Sequence, residues 1–302
     1  MINWTGVFPA VTTKLKADGS LDLDATRRSV DRLVVNGVSA VIMLPMLGEN
    51  ASLRADEREA VIEAARDVVA GRVPVLTGLA DLSEDAAAAA ARDYRRMGVD
   101  GLMLFPSLAY RTDPRETVAW YRAVGAASDL PIMIYNNPLA YRVDVGPDEL
   151  EALADVDTIM CVKEECGDPR RITDIYNRVG DRYAVFCGID DLIVESVAVG
   201  AVGWVSGMTN VWPAECVALF EMCRADRYAE ARALYRLLMP AFHLDTSVKL
   251  VQYIKFAEHL VYGAPEHVRR PRLELVGEER AEVEAVVKAA IVALTQRAAE
   301  AA

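Results

Sequence analysis

Eight short β-rich apolar runs recur through the first two thirds of the chain, each followed by a stretch with helical periodicity. They cover residues 6–10, 40–44, 73–77, 101–105, 132–135, 158–163, 183–187 and 202–206. Each run is apolar on both faces, the pattern of parallel strands covered by helices. Helix signals fill the gaps. Asp24 precedes a periodic stretch from Ala25 to Asn36 that Gly37 stops. Ser83 with Glu84 and Asp85 opens another that ends at Gly98, and Asp113-Pro114 opens a third. Strand then helix, eight times over, predicts an α/β fold of the (β/α)8 TIM barrel type. A doubly wound open sheet is the competing architecture, but it more often carries a glycine-rich phosphate loop after its first strand, and none stands here. Beyond Gly207 the pattern is helical only. The expected organisation is a catalytic barrel over residues 1–212 and a C-terminal helical extension over 213–302.

The chain has 302 residues, 53% of them hydrophobic and 26% charged, which suits a large buried core. A formal net charge of −12 disfavours nucleic acid and anionic membrane surfaces as partners. A small anionic substrate is still allowed, because local donors set a site. Five cysteines without tight pairing argue against a disulfide framework and for a reducing cytoplasm. Cys161 and Cys166 flank Lys163, but with only three histidines in the chain they predict no metal site. The opening residues do not read as a secretory signal, and no apolar run reaches the ~18 residues of a membrane span. A cytoplasmic protein is expected.

In such barrels the reactive groups sit at the C-terminal ends of strands. Of six lysines, only Lys163 closes an apolar run. A lysine aimed into a barrel mouth loses water, which frees the neutral amine to attack a carbonyl. The plainer alternative is a rim ion pair with Glu164 or Glu165. Tyr135 ends the preceding run and is either a proton carrier or an aromatic cap on the core. The turn Leu47-Gly48-Glu49 offers backbone N–H groups to a carboxylate, or is an ordinary turn with an acid near a helix start. Asp190-Asp191 reads as helix-capping acids in preference to a metal pair. Gly203 and Gly207 are expected to allow close backbone approach near the site.

Taken together, Gly48-Glu49, Tyr135-Asn136-Asn137-Pro138, Val162-Lys163-Glu164 with Gly167-Asp168, Gly188, and Gly200 to Ser206 followed by Asn210 to Pro213 resemble the dihydrodipicolinate synthase / N-acetylneuraminate lyase family, over almost the whole chain. The resemblance implies a class I lyase whose Schiff base forms on Lys163 and whose proton relay is Tyr135. It also implies a substrate site at Met46, Leu47, Gly48, Glu49, Tyr110, Gly188, Val205 and Ser206. It implies no metal or organic cofactor, a small keto acid or cyclic imino acid as substrate, and a homotetramer.

The sequence departs from the family at three places. Pro45-Met46-Leu47 replaces a turn that usually carries hydroxyls. Ala140, followed by Tyr141-Arg142, stands where the synthase has an arginine for its second substrate. Ser107-Leu108 replaces a tyrosine pair, leaving Tyr110 as the nearest phenol, in its own or a neighbouring site. Leu47 to Asn50, residues 181–191 and the tail from His243 to Lys255 are most similar to a hydroxyproline-pathway subgroup that deaminates 1-pyrroline-4-hydroxy-2-carboxylate to 2,5-dioxopentanoate and ammonia. The alternatives are a pyruvate aldolase, a 2-keto-3-deoxy sugar-acid dehydratase, or a keto-acid sensor without chemistry.

Overall fold

The computed structural model describes residues 2–301. Eight parallel strands form one sheet: β1 (Gly6–Pro9), β2 (Val41–Met43), β3 (Val75–Leu79), β4 (Gly101–Leu104), β5 (Ile132–Asn136), β6 (Ile159–Glu164), β7 (Ala184–Cys187) and β8 (Gly203–Ser206). The spatial order is β1-β8-β7-β6-β5-β4-β3-β2. A parallel bridge between Ala10 and Ile42, with the Val11 N–H donating to the Ile42 carbonyl, brings the first and last strands together. The sheet is therefore a nearly closed (β/α)8 barrel, and its all-apolar strands are buried on both faces as the consecutive pattern requires.

Helices α1 (Leu23–Val35), α2 (Ala55–Val69), α3 (Glu84–Met97), α4 (Pro114–Ala127), α5 (Pro138–Tyr141), α6 (Pro147–Ala152), α7 (Arg170–Val179) and α8 (Ile193–Ala198) alternate with the strands. Local chemistry explains their ends. The Ser83 hydroxyl accepts from the Ala86 N–H, and left-handed Gly98 closes α3. Asp113 caps α4 through the N–H groups of Arg115 and Glu116, and Pro114 stands where no N–H is needed. Two boundaries differ from expectation. Asp22, not Asp24, caps α1, because its carboxylate reaches the Ala25 N–H at 2.9 Å. The third strand runs two residues later than residues 73–77, since Pro74 has no N–H for the ladder.

After β8 the chain is helical, in α9 (Pro213–Arg224), α10 (Tyr228–Phe242), α11 (Leu250–Tyr262) and α12 (Gly277–Ala301). These helices are joined to the barrel by buried charges. Lys255 Nζ lies 2.6 Å from Glu49 Oε1, and Lys14 Nζ lies 2.5 Å from Glu258 Oε2, all four side chains being fully buried. No helix among the described residues is long and apolar enough to cross a membrane.

Candidate active site

Lys163 and Tyr135 are register partners on adjacent strands, so their side chains emerge side by side at the barrel mouth. Lys163 Nζ sits 4.1 Å above the centre of the Tyr135 ring. That ring is wedged edge-on against Phe105 and Tyr141, with centroids 4.9 Å and 5.7 Å away. The aromatic-cap reading of Tyr135 is thus met by its packing. Its hydroxyl accepts from Asn137 Nδ2 at 3.1 Å. Burial, and then the negative charge of Glu165, push this phenol well above its ordinary pKa, so it holds its proton.

Lys163 also touches Glu165, with Nζ 2.7 Å from Oε2. The contact is close but poorly aligned, and it leaves Oε2 buried without a hydrogen bond. Glu164 takes no part. It turns to the other side of the strand, where its carboxylate accepts from Asn136 Nδ2 at 3.0 Å and from the Cys166 N–H at 2.7 Å. The Lys163 stem passes over Gly188, where a Cβ would stand 2.8 Å from Lys163 Cε and 3.0 Å from the Glu164 carbonyl oxygen. That glycine is required for the lysine to lie as it does.

These groups line an inner cavity of about 20 Å³, room for roughly one water. Met46, Leu47, Gly188, Val205 and Asp245 share its wall with Lys163, Tyr135 and Glu165. Above it opens a vestibule of about 400 Å³, which shares Met46, Glu165, Asp245 and Leu250 and adds Asn137, Ala140, Thr246 and Ser247. No arginine among the described residues lines either space. The N–H groups of Gly48 and Glu49 are used inside the turn, on the Pro45 and Met46 carbonyls. Those of Met46 and Leu47 bond to no group among the described residues and are free for a ligand.

Other residues singled out from the sequence lie elsewhere. The Glu49 carboxylate faces Lys255 and accepts from the Arg269 N–H at 2.7 Å, away from the cavity. Ser206 is buried beneath the site, its Oγ accepting from the Thr209 N–H. Tyr110 is 60% exposed, with its hydroxyl donating to Glu116, outside the cavity of its own chain. Asp190 does not cap a helix as its place after β7 suggested. It is fully buried under the site and accepts from Trp204 Nε1 and from the Met208 N–H. Burial pushes its carboxyl up to about 7. Gly203 sits at the far end of β8, where the Phe186 ring occupies the space of a Cβ, so it serves the core and not the site. Gly207 does serve the site, since a Cβ there would lie 2.2 Å from Asp245 Oδ1.

Asp245 is the wall residue whose role the sequence did not show. It comes from the segment between α10 and α11, so the helical extension completes the cavity. Loss of water around its carboxyl, and then repulsion by Asp190 and Glu165, raise its pKa well above the usual range.

The sequence pattern of the dihydrodipicolinate synthetase family matches residues 3–290. The chain belongs to that family. It is accordingly an enzyme, a class I Schiff-base lyase. A 4-hydroxy-tetrahydrodipicolinate synthase of Sphingopyxis alaskensis is 32% identical over 95% of this chain and 99% of its own. Two solved structures align along nearly their full length. A dihydrodipicolinate synthase of Bacillus anthracis gives a TM-score of 0.91 at 27% identity, covering 95% of this chain and 99% of that one. A prophage protein of E. coli K12, belonging to the dihydrodipicolinic acid synthase family and solved with pyruvate, gives 0.89 at 26% identity, covering 95% and 98%.

Proposed function

We propose that this member of the dihydrodipicolinate synthetase family uses Lys163 to form a Schiff base with a single small 2-oxo acid or its cyclic imine. The carrying observation is the placement of Nζ over the Tyr135 ring, at a cavity that Met46 and Leu47 also line with N–H groups that bond to nothing else among the described residues. The substrate carboxylate would lie against those two N–H groups, its C2 would face Nζ, and Val205 would pack beside it. Tyr135, which keeps its proton, donates a hydrogen bond to the heteroatom on C2.

The names of the relatives favour a synthase-like pyruvate aldolase as the reaction, with pyruvate as the simplest ligand. The lining argues against the two-substrate synthase itself. It offers no arginine for a second carboxylate, and the Glu165 side chain stands where one would approach. That same acidic wall favours a second reading, deamination of 1-pyrroline-4-hydroxy-2-carboxylate. Here the amine of Lys163 adds to C2 of the ring, the ring nitrogen leaves C2, the 4-hydroxyl departs as water through the enamine, and hydrolysis at both ends of the chain releases 2,5-dioxopentanoate and ammonia. An acidic wall suits a leaving nitrogen that becomes cationic. Exposed Tyr110 supports a homotetramer in which it reaches a neighbouring site, which sedimentation tests.

Borohydride with pyruvate, with 2-keto-3-deoxy sugar acids and with the hydroxyproline-derived imine tests the function. One of these should add mass at Lys163, and Lys163→Ala should abolish both the adduct and turnover. Release of pyruvate identifies an aldolase, and release of ammonia the deaminase. Full turnover in Lys163→Ala would refute the Schiff-base mechanism.

A further inference from the structure

The relay expected of Tyr135 lacks its usual continuation, because Met46 and Leu47 carry no hydroxyl. Protons must nevertheless leave the lysine ammonium before it can attack, and must reach the atom that departs from C2. The Tyr135 phenol can donate but is a poor acceptor at neutral pH, since it holds its proton. A base is needed within reach of Nζ.

Glu165 is placed for that work. Strand alternation sets it on the same side as Lys163, two residues earlier. The Glu165 N–H donates to the Asn136 carbonyl at 2.9 Å, which extends the β5–β6 ladder one residue past β6 and fixes the backbone there. The carboxylate meets Nζ at 2.7 Å and lines both the inner cavity and the vestibule. Its Oε2 is buried with no hydrogen bond. A carboxylate oxygen left so is unfavourable for the resting fold and calls for a functional account. Its one close partner is the nucleophile Lys163 itself, while the neighbouring Glu164 makes the strand-end contacts. The surrounding acids do not gather as a metal-binding group among the described residues.

We propose that Glu165 is the catalytic acid–base residue, carrying protons from Lys163 to the heteroatom on C2 of the substrate. The proposal rests on the Schiff-base role of Lys163. The ammonium gives one proton to Glu165, and the neutral amine adds to C2. Glu165 delivers that proton to the oxygen, takes a second from the bound nitrogen, and delivers it as well. The oxygen leaves as water, the lysine nitrogen keeps its last proton as the iminium, and Glu165 is again a carboxylate. With a cyclic imine the same two protons go to the ring nitrogen, which leaves C2 as a primary amine.

The test measures the rate of adduct formation at Lys163 in the full-length enzyme, with pyruvate or the pyrroline as probe and cyanoborohydride as trap. Glu165→Gln should slow trapping ~100-fold or more, in the range of general acid–base catalysis. It should reach the same final extent, because the nucleophile is intact. Glu165→Asp should retain part of the rate. Added formate should accelerate Glu165→Ala and leave the parent unchanged, a rescue that a packing role would not give. Trapping by Glu165→Gln at the parent rate would overturn the proposal and leave the Lys163 mechanism standing. The proposal is equally overturned if Asp245→Asn, and not Glu165→Gln, shows the loss and the formate rescue appears in Asp245→Ala. If the parent enzyme traps neither probe nor a 2-keto-3-deoxy sugar acid, the Schiff-base reading fails and this proposal with it.

Discussion

Burial outweighs the other influences on the two aspartates near Lys163 and favours their acid form. Asp190 is the clearest case. It has no water, two N–H donors and a lysine nearby, and burial wins, so the acid form persists toward neutrality. Asp245 is raised too, in part by Asp190, so the two titrate as a pair. The folded state therefore holds a proton that the unfolded chain releases near pH 4. Linkage fixes the sign. The stabilisation is complete below the unfolded pKa and is lost as the pH rises to about 7. Relative to Asp190→Asn, the parent protein should lose stability between about pH 4 and pH 7 and change little above, as read from urea unfolding. Because Trp204 Nε1 donates to Asp190, the indole fluorescence of the folded protein should shift as the pH passes through about 7, in the parent alone. A pH-independent stability difference between the two proteins would show that Asp190 is ionised throughout.

The elements carry this chemistry because strand ends sit where the barrel opens, and that much is legible in a sequence. A consecutive apolar run that ends in Lys163, beside one that ends in Tyr135, already places both groups. Glu165 was legible as a partner of the lysine for the same reason, being two residues away on a period of two. The turn after β2 shows what was not legible. Leu44 and Glu49 both take left-handed backbone conformations, with φ of 53° and 57°. Asn50 makes this tolerable, its Nδ2 donating at 3.0 Å both to the Leu44 carbonyl and to the Gly78 carbonyl on β3. Gly78 has no side chain because the Leu44 carbonyl oxygen lies where its Cβ would be. The pattern of residues alone shows neither the strained turn nor the asparagine that pins it. Asn50→Ala should leave two buried carbonyls unpaired, at a cost of about 1–3 kcal/mol for each group orphaned. Since this turn presents the Met46 and Leu47 N–H groups, KM for the keto acid should rise more than kcat falls. An unchanged KM in a folded variant would detach the turn from carboxylate binding.

At the scale of the molecule, barrel and helical extension act together. The extension supplies Asp245 and Leu250 to the cavity, so the site exists only while α10 and α11 stay docked. What holds them there is polar as well as apolar. Glu49, at the end of the turn after β2, meets Lys255 of α11 across 206 residues of sequence, and Lys255 also donates to the His267 carbonyl. A pairing across that separation has no local signature, which is why Glu49 looked like a substrate ligand when read from the sequence. Two buried charges in contact stabilise little over a well-packed apolar pair, but removing one strands the other. Lys255→Met or Glu49→Gln alone should therefore cost about 3–5 kcal/mol, and Glu49→Leu with Lys255→Met should recover much of that loss. Because the pair sits between the turn proposed to bind the carboxylate and the helix that follows Asp245, the single variants should lose Schiff-base trapping at a temperature below their global unfolding. Parallel loss of trapping and of far-UV helix signal would mean that barrel and extension come apart only when the whole chain unfolds.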